Sequence, residues 1–275
     1  KSGDPSPVTA HGVFRAIQAS AFHRWGSDSL QGKTILLQGC GNVGRYLAKE
    51  LHGAGAKLVV SDIDPERAKK VAAETDAKVV EGDTIYSTKA DIFAPCALGG
   101  IINDKTIDML KVEVVCGGAN NQLLEERHGD ILDEKQMQYT PDYVANAGGV
   151  INVYGEVAGW NSERAFRKAD EIYDTVLGVF DIAKSDGVPT YVAADRLAEP
   201  FDAAPRGDGS AETREIQAIL RADVAVHDLA KVERDTEANR LAALVVAVVD
   251  RGDRTLARAE GTRADLLGSL AGRRV

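Results

Sequence analysis

The sequence predicts an α/β fold, a doubly wound and mostly parallel sheet. Two observations carry that reading. Short apolar runs of strand length alternate with segments of helical periodicity from Val8 onward. Between the first such run and the helix after it lies Gly39-Cys40-Gly41-Asn42-Val43-Gly44, a G-x-G-x-x-G turn. A third observation agrees: the second run ends at Ser61-Asp62, with Asp62 18 residues after Gly44.

Each element follows in order. Val8 to Trp25 has helical spacing, with Val8, Phe14, Ile17, Ala21 and Phe22 as its apolar stripe. Lys33 to Gln38 reads as a buried strand and Asn42 to Ala54 as a helix, which Gly55 stops. Lys57 to Ser61 is a second strand. Pro65 opens a helix to Glu74, a place where its missing N–H costs nothing. Short strands are expected at Ala77–Val80, Asp91–Ala94 and Val112–Cys116, with helical stretches near Asp104–Leu110 and Ile131–Gln136. Long helices are then expected over Asp142–Ala158, Ser162–Ser185 and Thr190–Glu199. The expected domains are 1–201, with these helices covering the sheet, and 202–275, a separate tail.

The glycine turn has a physical logic. Gly39 permits a tight turn, Gly41 lets backbone approach a pyrophosphate, and Gly44 lets the helix pack close to the strand. Unpaired N–H groups at the helix start face the anion. A carboxylate at Asp62 accepts both ribose hydroxyls and repels a 2′-phosphate, so NAD is expected before NADP. No Arg immediately follows Asp62, and Arg67 does not change that expectation.

Several further stretches carry a resemblance. They are Pro5-Ser6-Pro7-Val8-Thr9-Ala10-His11-Gly12, Ala94-Pro95-Cys96-Ala97-Leu98-Gly99-Gly100, Gly118-Ala119-Asn120-Asn121-Gln122-Leu123 and Pro141-Asp142-Tyr143-Val144-Ala145-Asn146-Ala147-Gly148-Gly149-Val150. Pro189 to Arg196 adds a last helix. From residue 1 to about 200 the chain resembles the glutamate/leucine/phenylalanine/valine dehydrogenase family, and within it the leucine-type members.

That resemblance implies roles. Gly39, Cys40, Gly41, Asn42, Val43, Gly44 and Arg45 would form the NAD phosphate loop of a Rossmann domain, with Asp62 on the adenosine ribose. Cys96 and Ala97 would line the cofactor cleft. Asn120 and Asn121 would lie beside the nicotinamide and its ribose, and Thr9 would touch the carboxamide. Asn146 would sit where cofactor and substrate meet. Val150 and Val153 would line an apolar substrate pocket; the alternative is that both are ordinary core valines. Glutamate-specific relatives carry a hydroxyl at the position of Val153, so a branched-chain L-amino acid is expected as substrate.

The reaction so implied is oxidative deamination to the 2-oxo acid, with hydride passing to NAD. The family's acid–base groups, two lysines and an aspartate, lie N-terminal to the matched segment. Lys33, Lys49 and Lys57 read as solvated surface lysines, so no catalytic acid or base is assigned here. The chain opens at Lys1 without Met, and Lys1 to Pro7 reads as a linker, so it is expected to begin within a longer protein and to be inactive alone. A non-catalytic NAD-binding module, using the tail for self- or partner association, is the competing reading. In the full-length family a homo-oligomer is expected.

Composition narrows the rest. The formal charge of -9 and pI near 5.2 speak against a nucleic-acid partner. The longest apolar run, Leu241 to Val249, is far below the ~20 residues of a bilayer span. Three cysteines without CxxC spacing fit a reducing compartment, hence the cytoplasm. Cys40 and Cys96 are either reactive thiols near helix starts or buried and inert. The five histidines are scattered without metal-ligand spacing, so no metal is expected. Residues 202–275 contain no Phe, Tyr, Trp, Met or Cys, and one Lys against eleven Arg. That shift marks a segment of separate origin, helical or partly disordered, opened by a Gly/Pro/Asp-rich linker.

Overall fold

A computed structural model of the chain describes residues 4–202. The expectations for the linker and helices of the tail lie outside the described residues.

Helix α1 (Ser6–Trp25) precedes strand β1 (Thr34–Gln38), helix α2 (Asn42–Gly53), strand β2 (Lys57–Ser61) and helix α3 (Pro65–Thr75). Then come β3 (Lys78–Val79), α4 (Thr84–Ser87), β4 (Ile92–Pro95), β5 (Val114–Val115), α5 (Arg127–Glu134) and β6 (Gln138–Tyr139). Helices α6 (Asp142–Ala145), α7 (Gly148–Val157), α8 (Ser162–Asp170), α9 (Ile172–Asp186) and α10 (Thr190–Asp202) complete the described chain. The six strands form one sheet in the order β3-β2-β1-β4-β5-β6, and every pair is parallel. The strand order reverses between β1 and β4. That reversal opens a crevice beyond their carboxyl ends, where Gln38 pairs with Ser61 on one side and Pro95 on the other.

Alternation along the strands divides the core. Ile35, Leu37, Ile92, Ala94 and Val114 join a cluster with α1, α2, α8 and α9, whereas Leu36, Phe93 and Val115 join Ile85, Ile107, Leu132 and Tyr139 on the opposite face. Helix α1 packs against α2, α7, α8 and α9, so it binds the sheet layer to the C-terminal helices.

Several expectations are corrected. Helix α1 begins at Ser6, within the segment read as a linker, because prolines are tolerated in a first turn. Phe22 of its expected stripe is 45% exposed. Residues 104–109 are turns, not helix. Asn103 Oδ1 there accepts the N–H groups of Lys105 and Thr106 at 3.0 and 3.2 Å, a local alternative to helical bonding. The helix expected over 142–158 is broken at Asn146–Ala147, and that over 162–185 at Glu171. Strand β6 was not anticipated: two residues are too few to show a period.

Candidate functional site

The G-x-G-x-x-G turn joins β1 to α2 at the mouth of the crevice. Its first glycine, Gly39, adopts φ 99° and donates its N–H to Ser61 O at 2.8 Å. A Cβ on Gly39 would come 2.7 Å from the backbone of Cys96 and Ala97, and one on Gly44 would come 1.9 Å from Gly39 O. The fold itself therefore requires both glycines. Gly41 differs, since a Cβ there would meet nothing within 4 Å. Its missing side chain leaves open space, as close approach by a ligand needs.

Helix α2 starts beside that space, with Gly41 as its N-cap, no side chain capping it and no acid in its first turn. Its first N–H groups are free to meet an anion. A cavity of about 370 Å³ adjoins Cys40, Gly41 and Asn42 and is lined by three cations, Arg45, Arg67 and Lys70. Arg45 is held by Glu74 of α3, Nε to Oε2 at 2.8 Å with a second, shorter contact, and Lys49 pairs with the same carboxylate at 3.3 Å. These two cations hold the Glu74 carboxyl down to about 2. Arg45 is thus turned on α3, while Arg67 keeps a looser pairing with Asp64 at 3.4 Å.

Asp62 follows β2 directly and lies under the turn. Its Oδ2 accepts the N–H of Cys40 at 2.6 Å and its Oδ1 the N–H of Asp64 at 2.8 Å. Each oxygen keeps a further lone pair for a hydroxyl. Together these features fit the pyrophosphate and adenosine ribose of a dinucleotide: an open glycine, an uncapped helix start, a cationic cavity and a carboxylate just after the second strand.

Cys96 and Ala97 leave β4 across the crevice, with Cys96 N donating to Gln38 O at 2.6 Å. Burial pushes the thiols of Cys40, Cys96 and Cys116 up to about 12, which disfavours the thiolate a reactive cysteine needs. Gly118 links this wall to the turn, because a Cβ there would lie 3.2 Å from Val43 and 3.5 Å from Cys96 Sγ. Asn120 and Asn121 are exposed at the same end of the sheet, and Asn120 Oδ1 accepts the side-chain amide of buried Asn146. The start of α7 presses on the start of α1: a Cβ on Gly149 would come 2.9 Å from Thr9 Oγ1. Val150 and Val153 are both half-buried on α7.

Two of the three lysines are elsewhere, while Lys49 of α2 shares Glu74 with Arg45. Lys33 precedes β1 at the opposite end of the strands, over the Trp25 ring at 3.5 Å and 3.7 Å from Asp91. It is half-buried rather than solvated, unlike the exposed Lys57.

Sequence reasoning missed other residues of this end. A Cβ on Gly117 would come 2.2 Å from Pro95 O, and buried Gln122 donates to Gly117 O and Ala119 O. Tyr139 and Asp142 hold one another and the Asn121 backbone. Gly117 stands in a glycine pair, which is a visible signal of close approach. The Pro-Asp at 141–142 reads as an exposed helix start, and nothing local announces its burial.

Comparison with known proteins gives concordant matches. The sequence profile of the glutamate/leucine/phenylalanine/valine dehydrogenases matches residues 2–65 and 60–194. A leucine dehydrogenase of Thermoactinomyces intermedius is 58% identical over 198 residues, 72% of this chain and 54% of that protein. Another, from Geobacillus stearothermophilus, is 56% identical over the same length. Among solved structures, L-tryptophan dehydrogenase from Nostoc punctiforme superposes with a TM-score of 0.70 at 50% identity, covering 72% of this chain and 61% of that one. The chain thus spans about half the length of the curated relatives it matches.

Proposed function

Because this chain belongs to the glutamate/leucine/phenylalanine/valine dehydrogenase family, we propose that its residues 1–201 form the domain that binds NAD in an enzyme deaminating a branched-chain L-amino acid. The observation that carries this reading is Gly41, open above an uncapped helix start where the neighbouring glycines are required by packing. The bound dinucleotide supplies the hydride acceptor.

The chain's own residues bind and orient. In this reading the N–H groups at the start of α2 take the pyrophosphate, and Asp62 takes the adenosine ribose through its remaining lone pairs. The charge of Asp62 disfavours a 2′-phosphate, so NAD is preferred to NADP. Cys96 and Ala97 wall the cleft, Thr9, Asn120 and Asn121 meet the nicotinamide end, and Asn146 stands between cofactor and substrate. Val150 and Val153 offer apolar surface to a branched side chain, in which a second carboxylate would be buried unpaired. The acid–base chemistry belongs to the part of the relatives' length that this chain does not span. The 275 residues alone are therefore expected to bind cofactor and to turn over far below enzymatic rates. We assign the whole enzyme to branched-chain amino-acid catabolism in the cytoplasm, where three free cysteines stay reduced. Its assembly is expected to be homo-oligomeric, and residues 202–275 a separate segment.

Titration of NADH and NADPH into the purified chain, followed by nicotinamide fluorescence, tests this. Saturable binding that prefers NADH supports it; a folded chain that binds neither overturns it. For substrate class, the chain joined to the amino-terminal half of a relative is offered leucine, valine, isoleucine, tryptophan and glutamate. Faster turnover of tryptophan than of the three aliphatic residues would overturn the branched-chain assignment.

A further inference from the structure

Nothing in the hydrophobic accounting of the fold calls for a carboxylate inside the C-terminal end of the sheet, yet Asp142 is only 8% exposed there and its neighbour Tyr139 only 4%. Burying a carboxylate is costly unless its oxygens are satisfied. Both are. Oδ1 accepts the Tyr139 hydroxyl at 2.7 Å, and Oδ2 accepts the backbone N–H of Asn121 at 2.7 Å. Thr190 on α10 anchors the tyrosine from behind, donating Oγ1 to Tyr139 O at 2.7 Å.

The recipient of this arrangement is a turn that does not hold itself. Asn121 has φ 52°, in the left-handed region, at a cost that surrounding structure must offset. From the other side the turn is clamped by backbone. Gly100 N donates to Asn121 O at 2.6 Å, and Gly99 packs so closely that a Cβ would lie 2.7 Å from Asn120 O. The same turn presents the exposed Asn120 and Asn121 side chains, and Asn120 accepts from Asn146. Asp142 and Asn146 are four residues apart, so one short helix and the residue after it hold the turn at two points: Asp142 at the Asn121 backbone, Asn146 at the Asn120 side chain.

We propose that Asp142, oriented by Tyr139, is a positioning residue for cofactor binding: it fixes the Asn120–Asn121 turn in the conformation that receives the nicotinamide end of the dinucleotide. This rests on the reading of the crevice as a dinucleotide site. Neither side chain touches the cofactor, and their effect passes through the Asn121 peptide. The adenosine end, held by the glycine turn and Asp62, lies on other elements and does not depend on them.

That division supplies the test. Tyr139→Phe removes one hydroxyl, and Asp142→Asn replaces the carboxylate by its isostere. Both are made in the full 275-residue chain, with circular dichroism confirming the fold. NADH and ADP, which lacks the nicotinamide and its ribose, are titrated into each. NADH binding is expected to weaken about tenfold in Asp142→Asn and about threefold in Tyr139→Phe, the scale of losing a charged or a single hydrogen bond. The nicotinamide fluorescence enhancement falls with it, while ADP affinity stays within about twofold, since its contacts are untouched. Equal weakening of both ligands would mean a merely structural role and overturn the inference. Unchanged NADH binding would overturn it as well. Should Asp142→Asn not fold, Tyr139→Phe decides by the same two ligands. An unmodified chain that binds ADP but not NADH refutes the positioning role alone, whereas one that binds neither refutes the dinucleotide site itself.

Discussion

The carboxylate of Asp62 accepts the backbone N–H of Cys40 at 2.6 Å, so the residue that follows β2 also holds the glycine turn that follows β1. Its charge has two consequences, one for the loop and one for the ligand. Asp62→Asn keeps one acceptor oxygen for Cys40 and removes the charge that repels a 2′-phosphate. Arg67 and Lys70 line the adjoining cavity and remain to attract one. NADH binding is expected to weaken about tenfold through loss of charged hydrogen bonds to ribose. The ratio of NADPH to NADH affinity is expected to rise by a similar factor. An unchanged ratio would show that Asp62 does not face the ribose.

The three glycines of the turn separate folding from binding. Gly44→Ala places a Cβ 1.9 Å from Gly39 O, a backbone atom that cannot move aside. It is expected to cost ~3 kcal/mol or more and to lower the melting temperature by roughly 6–12 °C for a domain of this size. Gly41→Ala meets nothing within 4 Å and sits at an ordinary φ of -67°. Its melting temperature should stay within about 2 °C of wild type, while NADH binding falls by ~tenfold or more, because the methyl occupies the ligand's approach. Normal NADH affinity in a folded Gly41→Ala chain would remove the main support for the cofactor reading.

A pH dependence is built into the joint between the sheet layer and the C-terminal helices. His11 of α1 meets Glu50 of α2 through Nδ1 at 2.9 Å and Asp170 of α8 through Nε2 at 3.0 Å, and Arg15 of α1 pairs with the same Asp170 at 3.2 Å. The hydrogen bond to Glu50 raises the His11 pKa above its ordinary 6.5, with Asp170 adding to it against burial. A raised histidine pKa contributes stability that is complete below the unfolded value and lost as pH climbs through the folded one. The wild-type melting temperature should therefore fall more steeply than that of His11→Gln as pH rises from 6 toward 9. The two should differ by on the order of 1 kcal/mol at the acid end, the scale of partly exposed ion pairs. Parallel curves would show that His11 does not titrate in this window.

How far the sequence revealed this molecule depends on length and on what each signal reports. Strand β2 was legible to the residue, because Lys57 to Ser61 is an uninterrupted run with Gly55 before it and Asp62 after it. Helix α3 was nearly so, since Asp64 caps Glu66 N and Pro65 occupies the first turn. Strands β3 and β5 fall inside the expected 77–80 and 112–116 but are only two residues long, whereas β6, equally short, carries no periodicity that could mark it. The residues of the turn, Asp62 and the Asn120–Asn146 pair could be named from motifs, and they do converge on one end of the sheet. Their supports could not. Asp142 and Tyr139 are buried by contacts between segments distant in the chain, and a carboxylate carries no sequence mark of burial.

The break between α6 and α7 gives a last contrast, in which sterics and helix propensity compete. Gly148 and Gly149 both weaken a helix, and replacing either by Ala gains up to ~1 kcal/mol in propensity. At Gly148 a Cβ would lie 2.3 Å from Val8 O and 3.0 Å from Thr9 Cα, so α1 and α7 must separate. That displacement is expected to cost about 1–3 kcal/mol, exceeding the gain. At Gly149 the obstacle is Thr9 Oγ1 at 2.9 Å, the end of a side chain that can rotate once its 3.0 Å bond to Pro5 O is given up. That exposed bond is worth ~1 kcal/mol or less, so propensity and loss nearly cancel. Gly148→Ala should therefore lower the melting temperature by several degrees, and Gly149→Ala should leave it within about 2 °C. Because Asn146 directly precedes this joint and bonds to Asn120, Gly148→Ala should also weaken NADH more than ADP. Equal melting temperatures for the two variants would mean that α1 and α7 are not in close contact, and the junction of Thr9 with Gly148 and Gly149 would have to be redrawn.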